Sequence, residues 1–107
     1  MQVNVSTRHG SISEPTRDLI ISKVDKLNRV FDRLTAIEVT VDLEKASVPK
    51  IDLQVSAEHK HNFIASHTSE DMFGSVDQVV HKVEQQLRKY KEKIQDHHHP
   101  HTTENNS

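Results

Sequence analysis

The residues of this chain that could do chemistry fall into two groups, its histidines and its lysines and arginines. Nine histidines stand among 107 residues, and four of them lie in residues 97–107. Neutral imidazole binds zinc, copper and nickel, so this cluster (His97, His98, His99 and His101) could hold such a metal loosely. A structural metal site needs ligands that a fold holds in place. A run without apolar residues does not form a packed fold, so it cannot hold these histidines in place. We therefore expect a disordered His-rich tail over 97–107 and keep a metal-binding tail as an alternative.

The remaining histidines do not predict an enzyme. His9, His67 and His81 could each meet a carboxylate, but no spacing marks a nucleophile with its base or a metal helix. Cysteine is absent, which excludes disulfides and thiolate sites, and two glycines are too few for a glycine-rich phosphate loop. The apolar residues, 33% of the chain, are needed for a core and leave little for a deep pocket. We expect no catalysis, no cofactor and no small-molecule substrate.

The charge balance excludes a uniformly basic protein but permits a basic face. Lysine and arginine number 14 against 16 acidic residues, for a formal net charge of -2. No apolar run approaches the roughly 18 residues of a membrane span, and the N-terminal residues lack the order of a signal peptide. We expect a cytoplasmic protein that does not enter a membrane.

Placed on helices at about 100° per residue, the basic residues gather into flanks. The first predicted helix carries one such flank: Lys23, Lys26, Arg29 and Arg33. The last predicted helix carries Lys82, Lys89 and Lys93 on one side, with Arg88 and Lys91 on the other near Asp77 and Glu84. If the flanks lie near each other, they form one basic surface that fits the phosphate backbone of RNA. The alternative is an ordinary solvated helix face with i,i+4 ion pairs.

The elements that must position these flanks follow from the apolar spacing. Alternation predicts strands over residues 3–6, 37–43, 51–57 and 63–67. Ser13 caps a helix that carries an apolar stripe and ends near Asp32–Arg33. A second helix begins at residues 69–71 and continues to about Asp96. The aromatic residues fall on or beside apolar stripes, which indicates core packing rather than a platform for stacking bases.

This order predicts an α+β fold, β-α-β-β-β-α. We expect a four-stranded sheet, with three consecutive antiparallel strands, two helices on one face and a polar open face. Residues 1–96 form the single domain, and residues 97–107 form the tail.

Three segments resemble the ribosome hibernation promoting factor family, also labelled ribosome-associated inhibitors or sigma-54 modulation proteins. Residues 31–34, FDRL, are similar to the family's signature at the end of its first helix. Residues 70–77, EDMFGSVD, resemble the start of the family's last helix, and residues 86–93, QLRKYKEK, closely match the end of that helix. Residues 1–5 and Arg8–His9 fit as well, so the resemblance covers residues 1–96.

The resemblance implies a protein that sits on the small ribosomal subunit in the mRNA and tRNA channel. Such a protein binds rRNA through basic helix residues and inactivates idle ribosomes under stress or in stationary phase. The matched segments place Arg33, Arg88, Lys89, Lys91 and Lys93 in this interface. Lys23, Lys26, Arg29 and Lys82 join them from the helical-face argument. Arg8 could contact RNA from the strand–helix turn.

The chain departs from the family in charge and length. Members are often more basic, and the acidic residues Asp18, Asp25, Glu84 and Glu92 could weaken or orient binding. The chain is similar to the short form, which leaves open whether ribosomes are paired or kept single, and self-association is equally open. The remaining alternative is a small protein-interaction or regulatory domain that uses the open sheet face or the acidic flank.

Overall fold

The computed structural model describes residues 2–97, with side chains described through Ile94. The elements follow in the order β1 (Gln2–Arg8), α1 (Glu14–Asp25), α2 (Leu27–Val30), β2 (Leu34–Asp42), β3 (Lys50–Ala57), a single 3-10 turn (Glu58–Lys60), β4 (His61–Thr68) and α3 (Met72–His97). The last helix therefore reaches one residue past the predicted domain boundary. The rest of the predicted tail, with its other three clustered histidines, lies outside the described residues.

The four strands form one mixed sheet in the order β1-β2-β3-β4. β2, β3 and β4 pair antiparallel, as predicted, whereas β1 pairs parallel to β2 with Val5 opposite Val39. A parallel pair requires a crossover connection, and α1 with α2 supplies it. β4 is an edge strand, because among the described residues it pairs with β3 alone.

The first predicted helix is correct at its start and wrong at its end. The Ser13 hydroxyl accepts from the Thr16 N–H at 3.2 Å, so the predicted cap is confirmed. The helix does not continue to residues 32–33: α1 ends at Asp25, and α2 is a separate short helix. The Asn28 amide donates to the Asp25 carboxylate at 2.8 Å, the kind of local side-chain bond that favours helix ends over helix interiors.

The hairpin between β3 and β4 is tighter than the gap of residues 58–62 between the two predicted strands. His59 and Lys60 adopt the left-handed conformation, with φ of 67° and 63°. This turn lets β4 begin at His61, so the strand is longer than the predicted one over residues 63–67. β2 likewise begins at Leu34, three residues ahead of the prediction.

The core lies between the helices and one face of the sheet. α1 packs on β1 and α3, and α3 packs on β3 and β4. Ile20, Val24 and Leu87 are fully buried there, and burial of each such side chain stabilises the fold by about 1.5–3 kcal/mol. The other sheet face is polar, as predicted, apart from the exposed side chain of Ile64, and Ser66 donates a hydrogen bond to Asp52 there.

The described helices are amphipathic rather than uniformly apolar. Among residues 2–97, no helix is long and apolar enough to cross a membrane.

Candidate nucleic-acid interface

The basic side chains of α3 lie on two sides of that helix, and a different element faces each side. Lys82 lies towards β4, because its ammonium donates to the Ser66 carbonyl at 3.2 Å. Asp77 lies towards α1, because its carboxylate binds Lys23 of that helix. The helical spacing places Lys89 and Lys93 on the β4 side with Lys82. We name these three residues, Lys82, Lys89 and Lys93, the lysine flank.

A groove of about 650 Å³ runs between β4 and the lysine flank. The Gln86 amide donates to the Ile64 carbonyl at 3.1 Å, one helical turn beyond the bond from Lys82 to Ser66. The residues that line the groove are Ile64, Ala65, Ser66, Lys82, Gln85, Gln86 and Lys89. Two of them are cations and none is acidic, so the groove is a preformed electropositive channel along the sheet edge.

The side of α3 that faces α1 is different, because acids meet its cations. The Lys23 ammonium lies 3.0 and 3.2 Å from the two carboxylate oxygens of Asp77. Arg88 donates to one Glu84 oxygen from Nε at 3.1 Å and from Nη2 at 2.8 Å. Two residues predicted to bind RNA, Lys23 and Arg88, are therefore engaged by carboxylates within the fold.

The condition for one basic surface across the two helices, that their basic flanks lie near each other, is not met by the lysine flank and Lys23. The lysine flank points away from α1 towards β4, while Lys23 meets an acid on the opposite side of α3. Helix-wheel spacing fixes which residues share a flank, but it does not fix which neighbour each flank faces. That choice depends on the order of the strands beneath the helices.

The remaining predicted cations, three of them on or beside α2 and one on α3, lie along the outer rim of the helix layer. Lys26 and Arg29 are exposed on and beside α2. Arg33 and Lys91 line a small hollow of about 120 Å³ with Phe31, Asp32 and Ile94. None of these four cations is among the residues that line the groove.

Arg8 is set apart from the other predicted RNA-binding residues. It is the last residue of β1 and lies three positions beyond Val5, which is buried under the helices. Side chains alternate along a strand, so Arg8 lies on the open face of the sheet. Its register partner there is Asp42, and the structure does not bring it to the helix flanks.

The aromatic residues pack in the core, as predicted. The Tyr90 ring meets Phe31 and Phe63 edge to face, with centroids 5.7 and 5.4 Å away. Phe31 and Phe63 are buried. Within the described chain, no row of exposed aromatic rings offers itself to bases, so recognition by phosphate contacts fits this surface better than base stacking.

The structure gives contacts for three of the histidines: His9 meets Asp42, His61 packs against the Tyr90 ring, and His67 meets Ser75. His67 Nδ1 lies 3.0 Å from the Ser75 hydroxyl, which also bonds Ser69 at 2.6 Å. Ser75 is fully buried, so no substrate reaches this hydroxyl. The network joins the end of β4 to the start of α3.

Among the residues that the structure describes, one group could offer metal ligands: His9, Asp42 and Glu44, whose possible ligand atoms lie within 4.8 Å of one another. Hydrogen bonds account for their proximity: Asp42 Oδ1 lies 2.9 Å from His9 Nδ1 and accepts from the Glu44 N–H at 3.0 Å. These bonds, that from His9 above all, hold the pKa of Asp42 below its usual range. These hydrogen bonds cap the end of β2 at Asp42.

Two groove components were not among the predicted site residues, the edge of β4 and the amide of Gln86. Alternating hydrophobicity locates β4 but does not show that it is an edge strand. Gln86 stands beside the lysines in the sequence, yet only the tertiary contact with the Ile64 carbonyl gives it a place in the groove.

Nearly all of the described domain matches a known family. The sequence model described as "Sigma 54 modulation protein / S30EA ribosomal protein" matches residues 3–95. The chain belongs to this family. The resemblance found in its helix segments is thereby confirmed.

The chain is similar to proteins named ribosome hibernation promoting factor. That of Azotobacter vinelandii is 36% identical, over 87% of this chain and 85% of the relative. That of Pseudomonas putida is 31% identical, over 89% and 91% of the two chains. That of Escherichia coli strain K12 is 31% identical, over 91% of this chain and the full length of the relative.

Solved structures confirm the α+β fold. A ribosomal subunit interface protein from Coxiella burnetii superimposes with a TM-score of 0.75 at 27% identity, over 85% of this chain and 98% of that one. The N-terminal domain of Protein Y from Thermus thermophilus gives 0.74 at 20% identity, over 84% and 99% of the two chains. The second likeness shows the shared fold alone.

Proposed function

We propose that this protein binds the small ribosomal subunit through rRNA, occupies the mRNA and tRNA channel and so inactivates idle ribosomes under stress or in stationary phase. The names of its relatives support ribosome hibernation as the process. The observation that carries the interface is the lysine flank, of which Lys82 and Lys89 line a groove without acidic lining residues. The action is steric and requires no chemical step.

The cations have unequal roles in this proposal. Lys82, Lys89 and Lys93 make the principal phosphate contacts, because lysines that neutralise phosphates release condensed counterions. Arg33, Lys91, Lys26 and Arg29 extend the contact along the rim of the helix layer. Lys23 and Arg88 contribute less, since each must exchange a carboxylate for a phosphate. Arg8 on the open sheet face would need a separate segment of RNA.

A charge-reversal variant tests the interface. The triple change Lys82→Glu, Lys89→Glu and Lys93→Glu should abolish co-sedimentation with small subunits while the circular dichroism of the helices stays unchanged. The matched control reverses three lysines elsewhere, Lys45→Glu, Lys50→Glu and Lys60→Glu, with the same change in net charge. Persistent association of the first variant, or equal loss in the control, would show that the lysine flank is not the interface.

A further inference from the structure

The groove contains a second type of anion donor besides its lysines, the backbone of the edge strand. In an antiparallel pair, alternate residues direct both their N–H and their C=O groups at the partner strand, and the residues between direct both outwards. The Ile64 and Ser66 carbonyls accept from α3 side chains, so these residues are the outward-facing ones. Their N–H groups must therefore also face the groove.

These outward N–H groups lack a strand partner. β4 pairs with β3 on one side, and no described strand covers its other side. The carbonyl groups at the same edge are already satisfied by Lys82 and Gln86. What this edge still presents to solvent is a row of donors, and a sheet edge of this kind can bind anions.

The side chains of α3 strengthen the preference for an anion. The Lys82 ammonium is held against the Ser66 carbonyl and retains two further N–H donors. Lys89 lines the same groove, and no carboxylate of the described side chains lies within ion-pair distance of either lysine. The bonds from Lys82 and Gln86 fix these donors before any ligand arrives, which reduces the entropy lost on binding.

We infer that the β4–α3 groove is the seat of an RNA phosphodiester backbone, whose phosphates bind the Ile64 and Ser66 N–H groups together with Lys82 and Lys89. This inference rests on the proposed function and adds to it that the sheet edge, and not the helices alone, contacts the RNA. An acidic peptide added as a fifth strand is the competing occupant. RNA fits better because Lys82 and Gln86 already cover the carbonyls that a fifth strand would need.

Amide NMR spectra of the ¹⁵N-labelled protein, titrated with a short blunt-ended RNA duplex, test the inference directly. The Ile64 and Ser66 amide protons should move downfield together, whereas the Phe63 and Ala65 amides, which face β3, should move little. Movement confined to residues of α1 and α2 would overturn the inference. Equal or larger movement with an oligoglutamate peptide would assign the groove to an acidic peptide instead.

Two variants separate the backbone donors from the lysines. Lys82→Gln with Lys89→Gln should lower the salt dependence of duplex binding, log K against log [salt], by about two units, one for each lost phosphate contact. Ser66→Pro removes one outward N–H, a change that edge strands tolerate, and should weaken binding without changing that slope. Asn62→Pro removes an outward N–H beyond the groove and should leave binding unchanged. Equal binding by the Ser66→Pro and Asn62→Pro variants would contradict a role for the edge.

The ribosome experiment distinguishes failure of this inference from failure of the proposed function. The lysine-flank reversal can abolish co-sedimentation while the Ile64 and Ser66 amide shifts of the unaltered protein do not change with RNA. In that case the RNA contacts the helices and not the sheet edge. If the unaltered protein does not associate with ribosomes, the proposed function itself fails.

Discussion

At the end of β2, Asp42 connects two turns that are distant in sequence. Its carboxylate is within 2.9 Å of His9, 33 residues earlier, and also accepts from the Glu44 N–H. The sequence predicts the turn after β1, but it cannot predict this partner, because the parallel register of β1 and β2 brings the two residues together. The same register explains the position of Arg8 beside Asp42 on the open sheet face.

Asp42 should make stability depend on pH in the acid range. Its hydrogen bonds lower the pKa in the folded state, so the folded protein favours the carboxylate. The resulting stabilisation is present above the pKa of Asp42 in the unfolded chain and is lost as pH falls through the lower folded pKa. Urea unfolding at several pH values should show that the free energy of unfolding falls less at acid pH for Asp42→Asn than for the unaltered protein.

The control for this prediction is Asp32→Asn, which removes a carboxylate from an exposed loop. Its acid profile should parallel that of the unaltered protein. If Asp42→Asn also gives a parallel profile, the hydrogen bonds at the end of β2 do not set the acid stability.

Among the elements, α3 follows most closely from the sequence. Its apolar stripe from Met72 to Ile94 predicts one long amphipathic helix, and Val76, Val83 and Leu87 are fully buried as that stripe requires. The first helix is less predictable: the apolar spacing continues from α1 through α2, yet the backbone breaks between them at Lys26. Side-chain periodicity reports the face that is buried and does not detect a break that preserves this face.

The start of α3 depends on a side-chain cap. Asp71 Oδ1 accepts from the Gly74 N–H at 2.9 Å. Asp71→Ala should lower the free energy of unfolding by about 1 kcal/mol, measured by urea denaturation. Asp71→Asn keeps an acceptor oxygen and should lose only a fraction of this. Equal losses in the two variants would mean that the negative charge, and not the hydrogen bond, stabilises the helix.

The ion pair between α1 and α3 should restrain RNA binding. In the proposed function Lys23 must leave Asp77 to meet a phosphate. Asp77→Asn weakens that competition and should raise affinity for small subunits by up to about fivefold, because exposed ion pairs contribute at most about 1 kcal/mol. Binding curves from sedimentation would measure this.

Glu38→Gln is the matched control, because it removes one acid from the open sheet face. Its affinity should stay close to that of the unaltered protein. Equal gains in both variants would indicate that net charge alone, rather than release of Lys23, controls the affinity.

For the whole molecule, net charge conceals the arrangement of the charges. The formal value of -2 excludes little, while the structure separates an acid-free groove beside β4 from an ion-paired contact between the helices. The sequence predicts the fold class, the helix faces and the polar sheet face. It cannot predict which neighbour the lysine flank meets, because that depends on the strand order and on the edge position of β4.

Binding to the small ribosomal subunit is tested most directly by sedimentation of the purified protein with small subunits, with and without mRNA and tRNA, at low and moderate salt. The protein should co-sediment with the subunits, and this association should weaken as salt rises and disappear when mRNA and tRNA occupy the subunit. Absence of co-sedimentation at every salt concentration, or association that persists with the channel filled, would contradict the proposed function.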